Sequence, residues 1–261
     1  DYYNYPRILE KIILPTLEEH NLEPSDPIWE SLCSNPKIFV KTFYDKLKLP
    51  ELVQLEWSRS EKLGRNHWTI VGSHDSLPAQ LMIKQEWVRL SPAWDPLYLA
   101  GYLNQDPIRI NKSRELCEKI SDTNPDGTKK EGKSLETADR ERVKAKFAEL
   151  LSSRRFEISF ADLLGITDIV YNIGGSNRKD NWKERISSDF IEKYYENLSS
   201  KNPTALNMPE ILKMALQADI DIGVMNSSDK KQAREILYKK YQPLLDELQK
   251  FADILKEPEN I

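Results

Sequence analysis

The C-terminal segment 227–257 carries the pattern that most restricts the fold, because its apolar residues recur at alternating intervals of four and three. This repeat places them along one side of an α-helix as a heptad-like seam. We therefore predict a long C-terminal helix, with a kink or a break at Pro243. The seam consists of Leu237, Tyr241, Leu244, Leu248, Phe251 and Leu255.

Other segments show helical periodicity, several of them behind a residue that can cap a helix. Helices need few glycines, and the chain has nine in 261 residues. The sequence therefore predicts a mainly α (α+β) protein with bundle-like helix packing. The other predicted helices span residues 6–20, 26–34, 35–49, 107–120, 136–155, 187–200 and 207–218, with a turn or helix at 50–57 and short helical turns at 91–107.

Residues 66–90 follow a different pattern. The stretch "HWTIVG" is apolar and ends at Gly72, which is typical of a strand. The segment 79–90 alternates, with Leu81 and Ile83 on one face and Met82 and Lys84 on the other. We therefore predict one β-hairpin in the N-terminal half, over about 66–90. Because an isolated hairpin is marginal in water, it must pack on helices or pair with an unrecognised strand.

The best candidate for a linker is the stretch "SDTNPDGTKKEGKSLE", which has no apolar residue before Leu135. We therefore predict three parts. Residues 1–121 form a helical part with the hairpin, residues 122–136 form a flexible loop or linker, and residues 137–261 form a second helical part.

Charge and cysteine content limit the class of protein. The formal net charge is −4, which disfavours a protein that coats nucleic acid electrostatically. The two cysteines, Cys33 and Cys117, have neither zinc-binding nor disulfide-framework spacing, which predicts a reducing, cytoplasmic setting. No apolar run is long enough to span a membrane. We predict no cofactor and no metal.

Residues 159–175 show the order helix, turn, helix, stop. Ser159 begins a helix with Asp162 three residues later, and Gly165 provides the turn. Thr167 can cap a second helix that ends at the adjacent glycines Gly174 and Gly175. This interpretation is favoured over a phosphate-binding loop, because no Gly-Lys-Ser/Thr motif follows the glycines.

The small Ala161, the turn residue Gly165 and the following Ile-Thr pair resemble the helix-turn-helix of DNA-binding proteins over about 20 residues. The resemblance implies that the second helix reads base edges, but that helix carries mainly apolar residues, which favours two packed helices. The basic pair beyond it could contact only phosphates. The candidate nucleic-acid contacts are Asn172, Arg178 and Lys179.

The hairpin offers a second candidate site. Asp75 lies in its predicted loop, and Lys84 and Glu86 share one face of its second predicted strand. This arrangement resembles metal-dependent nucleases of the restriction-endonuclease type, in which carboxylates and a lysine hold magnesium and a water. The order here is Lys-x-Glu rather than the family's Glu-x-Lys. A solvated charged face is the alternative.

Aromatic residues and the C-terminal seam are candidates for binding a protein partner. Tryptophan, tyrosine and arginine dominate partner surfaces, although small cores use aromatic residues too. We therefore expect a non-enzymatic intracellular interaction module, a subunit or adaptor of a complex, with nucleic-acid binding or nuclease activity as the alternative. The partner-binding candidates are Trp87, Arg89, Trp94, Tyr98, Tyr102, Leu237, Leu244, Leu248 and Phe251.

Overall fold

The computed structural model describes residues 7–24, 26–27, 49, 52–60, 67–73, 75–95, 98–99, 136–167, 171–172, 179, 181–183 and 185–257. These residues form a mostly helical fold with one small parallel sheet, which confirms the mainly α (α+β) class. Most of the predicted helices at 26–34, 35–49 and 107–120, and of the predicted loop at 122–136, lies outside the described residues.

Helices occupy most of the segments that the periodicity marks. The N-terminal helix starts as a π-helical turn, Leu9–Ile13, and continues as α1, Leu14–Glu19. A short 3-10 turn, Pro92–Trp94, follows α3. The remaining helices are α2 (Ala79–Met82), α3 (Glu86–Leu90), α4 (Glu136–Leu151), α5 (Phe160–Leu164), α6 (Phe190–Ser199), α7 (Met208–Met225) and α8 (Lys230–Ile254).

Side-chain caps fix the starts of three of these helices. The Ser159 side chain accepts a hydrogen bond from the backbone N–H of Asp162 at the start of α5. Asn207 does the same for α7, and Asp229 for α8. Each cap satisfies a backbone donor that has no partner within the helix. The predicted helix start at Ser159 is confirmed, and Asn207 caps the helix that is predicted from residue 207.

Three short strands form a parallel sheet in the order β1 (Leu52–Gln54), β2 (Trp68–Ile70) and β3 (Arg155–Glu157). In the register, Leu52 pairs with Trp68, which pairs with Arg155. Parallel neighbours need a crossover connection, and the chain between β2 and β3 includes α2, α3 and α4. The carboxyl ends of all three strands therefore lie at one edge of the sheet.

The predicted β-hairpin over 66–90 is wrong. Its first strand exists as β2, but residues 79–90 form α2 and α3, and the sheet is parallel. Pro78 precedes the first turn of α2 in an extended conformation, with φ −51° and ψ 143°. The physical reason lies in the burial, which has helical rather than alternating spacing. The buried apolar residues here are Ala79, Met82, Ile83 and Val88.

The other two strands differ from the sequence-based predictions. A turn or helix is predicted at 50–57, where β1 forms, and a helix is predicted through Arg155, where β3 begins. Strands of three residues are too short to show an alternating pattern. Their formation depends on β2, which lies between them and pairs with both.

One hydrophobic core joins both predicted parts of the chain. Phe147 of α4 belongs to this core and is 1% exposed. Burying a side chain of this size stabilises the fold by about 1.5–3 kcal/mol. Buried residues from both sides of the predicted linker pack together in this core. They include Leu55, Val71, Met82, Ile83, Trp94, Leu99, Val143, Leu150, Leu206 and Ile211.

The C-terminal third is a helical hairpin in which α8 packs along α7, while α7 also packs on α4. The predicted long C-terminal helix is confirmed, and it continues through Pro243 without a break. Asn207 links the start of α7 to the last turn of α8, because its Nδ2 donates to the Ala252 carbonyl oxygen at 2.8 Å. In the part of the chain that the structure describes, no helix combines the length and apolar character needed to span a membrane.

Candidate functional site

Two exposed tryptophans stack against each other. Trp57 ends the turn after β1, where its backbone N–H donates to the Gln54 carbonyl oxygen at 3.3 Å. Trp87 is the second residue of α3, and the two ring centroids lie 4.4 Å apart with 15° between their planes. The side chains remain 61% and 42% exposed, and Leu90, one turn further along α3, is 77% exposed. Trp57, Trp87 and Leu90 together are called the tryptophan face.

The buried Glu56 holds the turn that carries Trp57. Its carboxyl group accepts a hydrogen bond from Ser76 Oγ at 3.0 Å and another from the Trp57 side chain. Burial raises the pKa of Glu56, while these two hydrogen bonds act in the opposite direction. The indole N–H of Trp94 donates to the Glu56 carbonyl oxygen at 3.1 Å. Trp57 is therefore fixed through both its ring and its backbone.

A buried ion pair on α4 lies next to Trp94. Lys146 Nζ donates to Glu149 Oε2 at 2.7 Å and lies 5.5 Å from the centroid of a Trp94 ring. It also donates to the carbonyl oxygens of Ala93 at 2.9 Å and Ser58 at 3.3 Å. Burial lowers the pKa of Lys146, and the Glu149 carboxylate opposes that shift. The ammonium group thus has three acceptors, and two of them lie outside α4. The ion pair therefore anchors α4 to the segments that contain Ser58 and Ala93.

The second carboxylate oxygen of Glu149 holds the chain after Trp57. It accepts hydrogen bonds from the Ser60 backbone N–H at 2.6 Å and from the Tyr98 hydroxyl. The guanidinium carbon of Arg59 lies 4.4 Å from the centroid of the Tyr98 ring. The ion pair on α4 and the segment that carries the exposed tryptophans are therefore one connected polar network.

The predicted aromatic partner-binding residues fall into different environments. Trp87 is exposed, Trp94 is fully buried, and Tyr98 is half-buried in the polar network. The Arg89 side chain and Tyr102 lie outside the described residues. Of the predicted aromatic set, Trp87 alone is thus described as exposed.

The predicted seam of α8 lies at the border between the buried and exposed sides of the helix. Leu245 and Ala252 are buried, while Leu244 and Phe251, each one residue earlier, are 45% and 48% exposed. The seam is therefore rotated away from the line of closest packing. The other two candidate residues of the seam, Leu237 and Leu248, are half-buried.

A cleft of about 630 Å³ opens at the carboxyl ends of β2 and β3. This edge is where small ligands bind in open parallel sheets. Ser73 and Ser76 line it from the loop after β2, and Ser159 and Asp162 line it from the start of α5. Arg185 adds a cation and Glu157 a carboxylate to a lining that also includes apolar side chains such as Phe160. Such a mixed lining suits a small organic molecule.

Asp162 connects α5 to α2 at this cleft. Its carboxylate accepts the backbone N–H of Ala79, the first residue of α2, at 2.7 Å and the Ser159 hydroxyl at 2.7 Å. Burial raises the pKa of Asp162, and the two hydrogen bonds oppose the shift. Gly165 ends α5 with φ 67°, which confirms the predicted turn at this position.

The three candidate nuclease residues do not share a strand. Asp75 lies in the loop after β2, Lys84 in the turn before α3, and Glu86 at the first position of α3. All three are exposed. The strand on which the resemblance to nucleases depends is a pair of helices, so the Lys-x-Glu spacing no longer places both side chains on one face.

The candidate nucleic-acid contacts are only partly described. The Asn172 side-chain amide donates to Asp75 Oδ1, so residues from the two alternative sites touch. Lys179 is exposed. Arg178 and most of the predicted second helix, 167–174, lie outside the described residues. The helix-turn-helix therefore stays a prediction.

Sequence reasoning missed Trp57, Lys146 and Glu149 as structural determinants of this region. A signal for the ion pair exists in α4, where Lys146 lies three residues after Val143 and four before Leu150, both of them buried. Helical geometry places that lysine on the apolar side, and an acidic residue three positions later can pair with it. Trp57 has no comparable signal, because its exposure depends on contacts distant in sequence.

Neither a metal site nor a known relative assigns a function to this region. Within the described residues, no group of three or more His, Cys, Asp or Glu side chains is arranged to hold a metal ion. When the chain is compared with known proteins, it matches no family model, no curated protein and no solved structure.

Proposed function

We propose that this chain is a protein-interaction module, an intracellular subunit or adaptor, that binds a protein partner through the tryptophan face. The observation that carries the proposal is the stacked pair, in which Trp57 is 61% and Trp87 is 42% exposed. Tryptophan is among the residues most enriched at the energetic centres of protein interfaces. Leu90 extends the apolar surface by a further side chain that is 77% exposed.

The rigidity of the pair supports a binding role. Stacking and the bond to Glu56 hold the Trp57 ring, and the peptide behind it is held by Trp94. A surface that is already ordered loses little conformational entropy when a partner binds. The polar network around Lys146 and Glu149 supplies this order while leaving the indole rings exposed.

The charges near the pair favour a protein over a nucleic acid. Stacking platforms for single strands combine aromatic rings with a basic groove. Here the residue before Trp87, Glu86, is acidic and exposed. Arg59, two residues after Trp57, forms an ion pair with Asp95 at 3.3 Å. The chain as a whole is also acidic, with a formal net charge of −4.

A random peptide library displayed on phage, selected against the full chain, tests this proposal. We expect selected peptides to share an apolar or proline-containing core and to quench tryptophan fluorescence on binding. Trp57→Ala and Trp87→Ala should each weaken a selected peptide by at least about tenfold, as expected when a central interface residue is truncated.

Trp182→Ala is the matched control, because Trp182 is also exposed, at 55%, and does not belong to the tryptophan face. This variant should bind the peptide as the unsubstituted chain does. Equal loss in all three variants, or binding of single-stranded DNA that both face variants abolish, would contradict the proposal.

The cleft at the carboxyl edge of the sheet favours a second candidate function, the binding of a small organic molecule. Its volume of about 630 Å³ lies within the range of ligand pockets. Phe160, which is 57% exposed, offers an apolar wall, and Arg185 offers a cation. A small anion with an apolar part fits this combination.

Ligand-observed NMR with a library of small carboxylates and phosphates tests the second candidate. Hits should be lost in Phe160→Ala and in Arg185→Ala, since both residues line the cleft. Phe156→Ala is the control, because Phe156 on β3 is exposed and does not line the cleft. Hits that persist in both cleft variants would exclude this site.

A further inference from the structure

We propose that α8 is a self-association surface through which two copies of the chain pair in antiparallel orientation. The surface is formed by Leu237, Leu244 and Phe251, which repeat every seven residues and therefore lie along one side of the helix. These three residues are called the α8 stripe. The stripe is separate from the tryptophan face, so this inference does not depend on the proposed function.

Two residues of the stripe, Leu244 and Phe251, lie on the side of α8 that is turned away from the closest packing, while Leu237 is half-buried beside α7. Leu245 and Ala252 are buried, and α8 packs along α7. Leu244 and Phe251 each lie one residue earlier, which rotates them by about 100° around the helix. They are 45% and 48% exposed. The apolar pattern of α8 is therefore wider than its contact with α7 requires.

The charges beside the stripe indicate which molecule packs against it. Lys240 lies four residues before Leu244, and Glu247 lies three residues after it. Both are exposed and lie seven residues apart on the same flank. When two such helices pack antiparallel about a two-fold axis at Leu244, Lys240 of each copy meets Glu247 of the other. Leu237 then lies opposite Phe251, and Leu244 lies opposite itself.

This pattern favours a second copy of the chain over an unrelated partner. A two-fold interface must be complementary to itself, and the stripe with its two flanking charges meets that condition. Parallel pairing would not bring Lys240 and Glu247 together, because it sets each flanking residue against the opposite flank of the partner helix. The charges therefore specify the antiparallel orientation as well as the partner.

Sedimentation equilibrium of the full chain, over about 1–200 μM at low salt, tests the proposal. We expect a monomer–dimer equilibrium that Leu244→Asp weakens at least about 100-fold, since it places two carboxylates on the two-fold axis. Leu90→Asp introduces the same charge on α3 and should leave the dimer unchanged. Circular dichroism of Leu244→Asp should show that the helices persist, as expected for a side chain that is 45% exposed.

Charge exchange tests the orientation without touching the apolar residues. Lys240→Glu and Glu247→Lys should each weaken the homodimer about tenfold, because each replaces two attractive contacts by repulsive ones. The double variant should recover the original affinity. A mixture of the two single variants should form a heterodimer, since each then supplies the charge that the other lacks.

Three results would overturn the proposal. One is a chain that stays monomeric up to about 200 μM, and another is a dimer that Leu244→Asp leaves intact. The third is a mixture of the single charge variants that shows no preferential pairing. Peptide binding at the tryptophan face, measured on Leu244→Asp, keeps the outcome for the proposed function separate.

Discussion

Lys146 Nζ lies 2.7 Å from Glu149 Oε2 in a part of the core where both side chains are completely shielded from solvent. The pair bonds to the carbonyl oxygens of Ser58 and Ala93, the Ser60 amide and the Tyr98 hydroxyl. It thereby attaches α4 to the chain segments that carry and support the exposed tryptophans. Its contribution is tested by removing the Lys146 charge alone and then together with the Glu149 charge.

We predict that Lys146→Met destabilises the protein by about 3–5 kcal/mol, because it leaves the Glu149 carboxylate buried without its counter-charge. The double variant Lys146→Met with Glu149→Gln should recover at least half of that loss, since no charge then stays buried. Urea unfolding followed by circular dichroism measures both effects. A single variant that unfolds at the same urea concentration as the unsubstituted chain would show that the pair does not act as described.

Gly165→Ala should be strongly destabilising. Gly165 has φ 67°, a conformation that side chains disfavour, and an added Cβ would lie 2.2 Å from the backbone nitrogen of Ala205. Because backbone cannot yield as a flexible side chain can, we expect a loss of about 3 kcal/mol or more.

Gly223→Ala is the matched control for Gly165→Ala. Gly223 lies within α7, where an added Cβ would approach only the tip of the Leu237 side chain, at 3.1 Å. Alanine is favoured over glycine in a helix by about 1 kcal/mol, so this variant should be neutral or slightly more stable. Thermal unfolding of both variants makes the comparison, and similar losses in the two would contradict the steric argument.

Asn207 should stabilise the fold through both the oxygen and the nitrogen of its side-chain amide. Its oxygen accepts the Glu210 backbone N–H at 3.2 Å, and its nitrogen donates to the Ala252 carbonyl oxygen at 2.8 Å. Asn207→Ala removes both contacts and should cost about 2 kcal/mol. Asn207→Ser keeps a capping oxygen but loses the donor to Ala252, so its cost should be smaller. Chemical unfolding of the two variants tests this order, and a serine variant as stable as the unsubstituted chain would show that the bond to α8 adds nothing.

The stability supplied by Glu210 should depend on pH. Burial would raise the pKa of Glu210, but the ammonium groups of Lys144 and Lys256, at 2.9 and 3.2 Å, outweigh it and hold the pKa below its ordinary value of 4.5. A carboxyl group with a lowered pKa stabilises the fold above its ordinary pKa, and that contribution is lost as the pH falls through the lowered value.

Glu210→Gln should therefore cost about 0.5–1 kcal/mol at pH 7, a modest value because the three side chains are partly exposed. The cost should shrink as the pH falls below about 4.5. Free energies of unfolding measured between pH 3 and pH 7 provide the test. Glu235→Gln, which removes an exposed carboxylate on α8, should show no such trend. A cost that grows toward low pH would rule out the assigned ion pairs.

A local sequence pattern predicts that α8 is a helix, but it does not predict which of its residues are buried. The apolar repeat in α8 correctly indicates a helix with a seam, but it cannot show that Leu245 and Ala252, rather than Leu244 and Phe251, face inward. That choice depends on the rotation of α8 against α7. The residues left on the open side carry the proposal of self-association.

For the tryptophan face, the sequence does not indicate which aromatic residues are exposed. Trp87 and Trp94 lie seven residues apart in one aromatic segment, yet Trp87 stacks on Trp57 at the surface and Trp94 is fully buried. Composition and spacing do not distinguish them. The difference arises because α3 and the following 3-10 turn face different neighbours.

The sequence by itself determined the longer helices and the start of α5, because a repeat of three and four residues, together with caps such as Ser159 and Asn207, is a local signal that needs no distant partner. Only the tertiary structure decided the parallel sheet and the Lys146–Glu149 anchor. Strands of three residues form when β2 meets partners far away in the chain, and a buried lysine is tolerated only where acceptors from several segments converge on it.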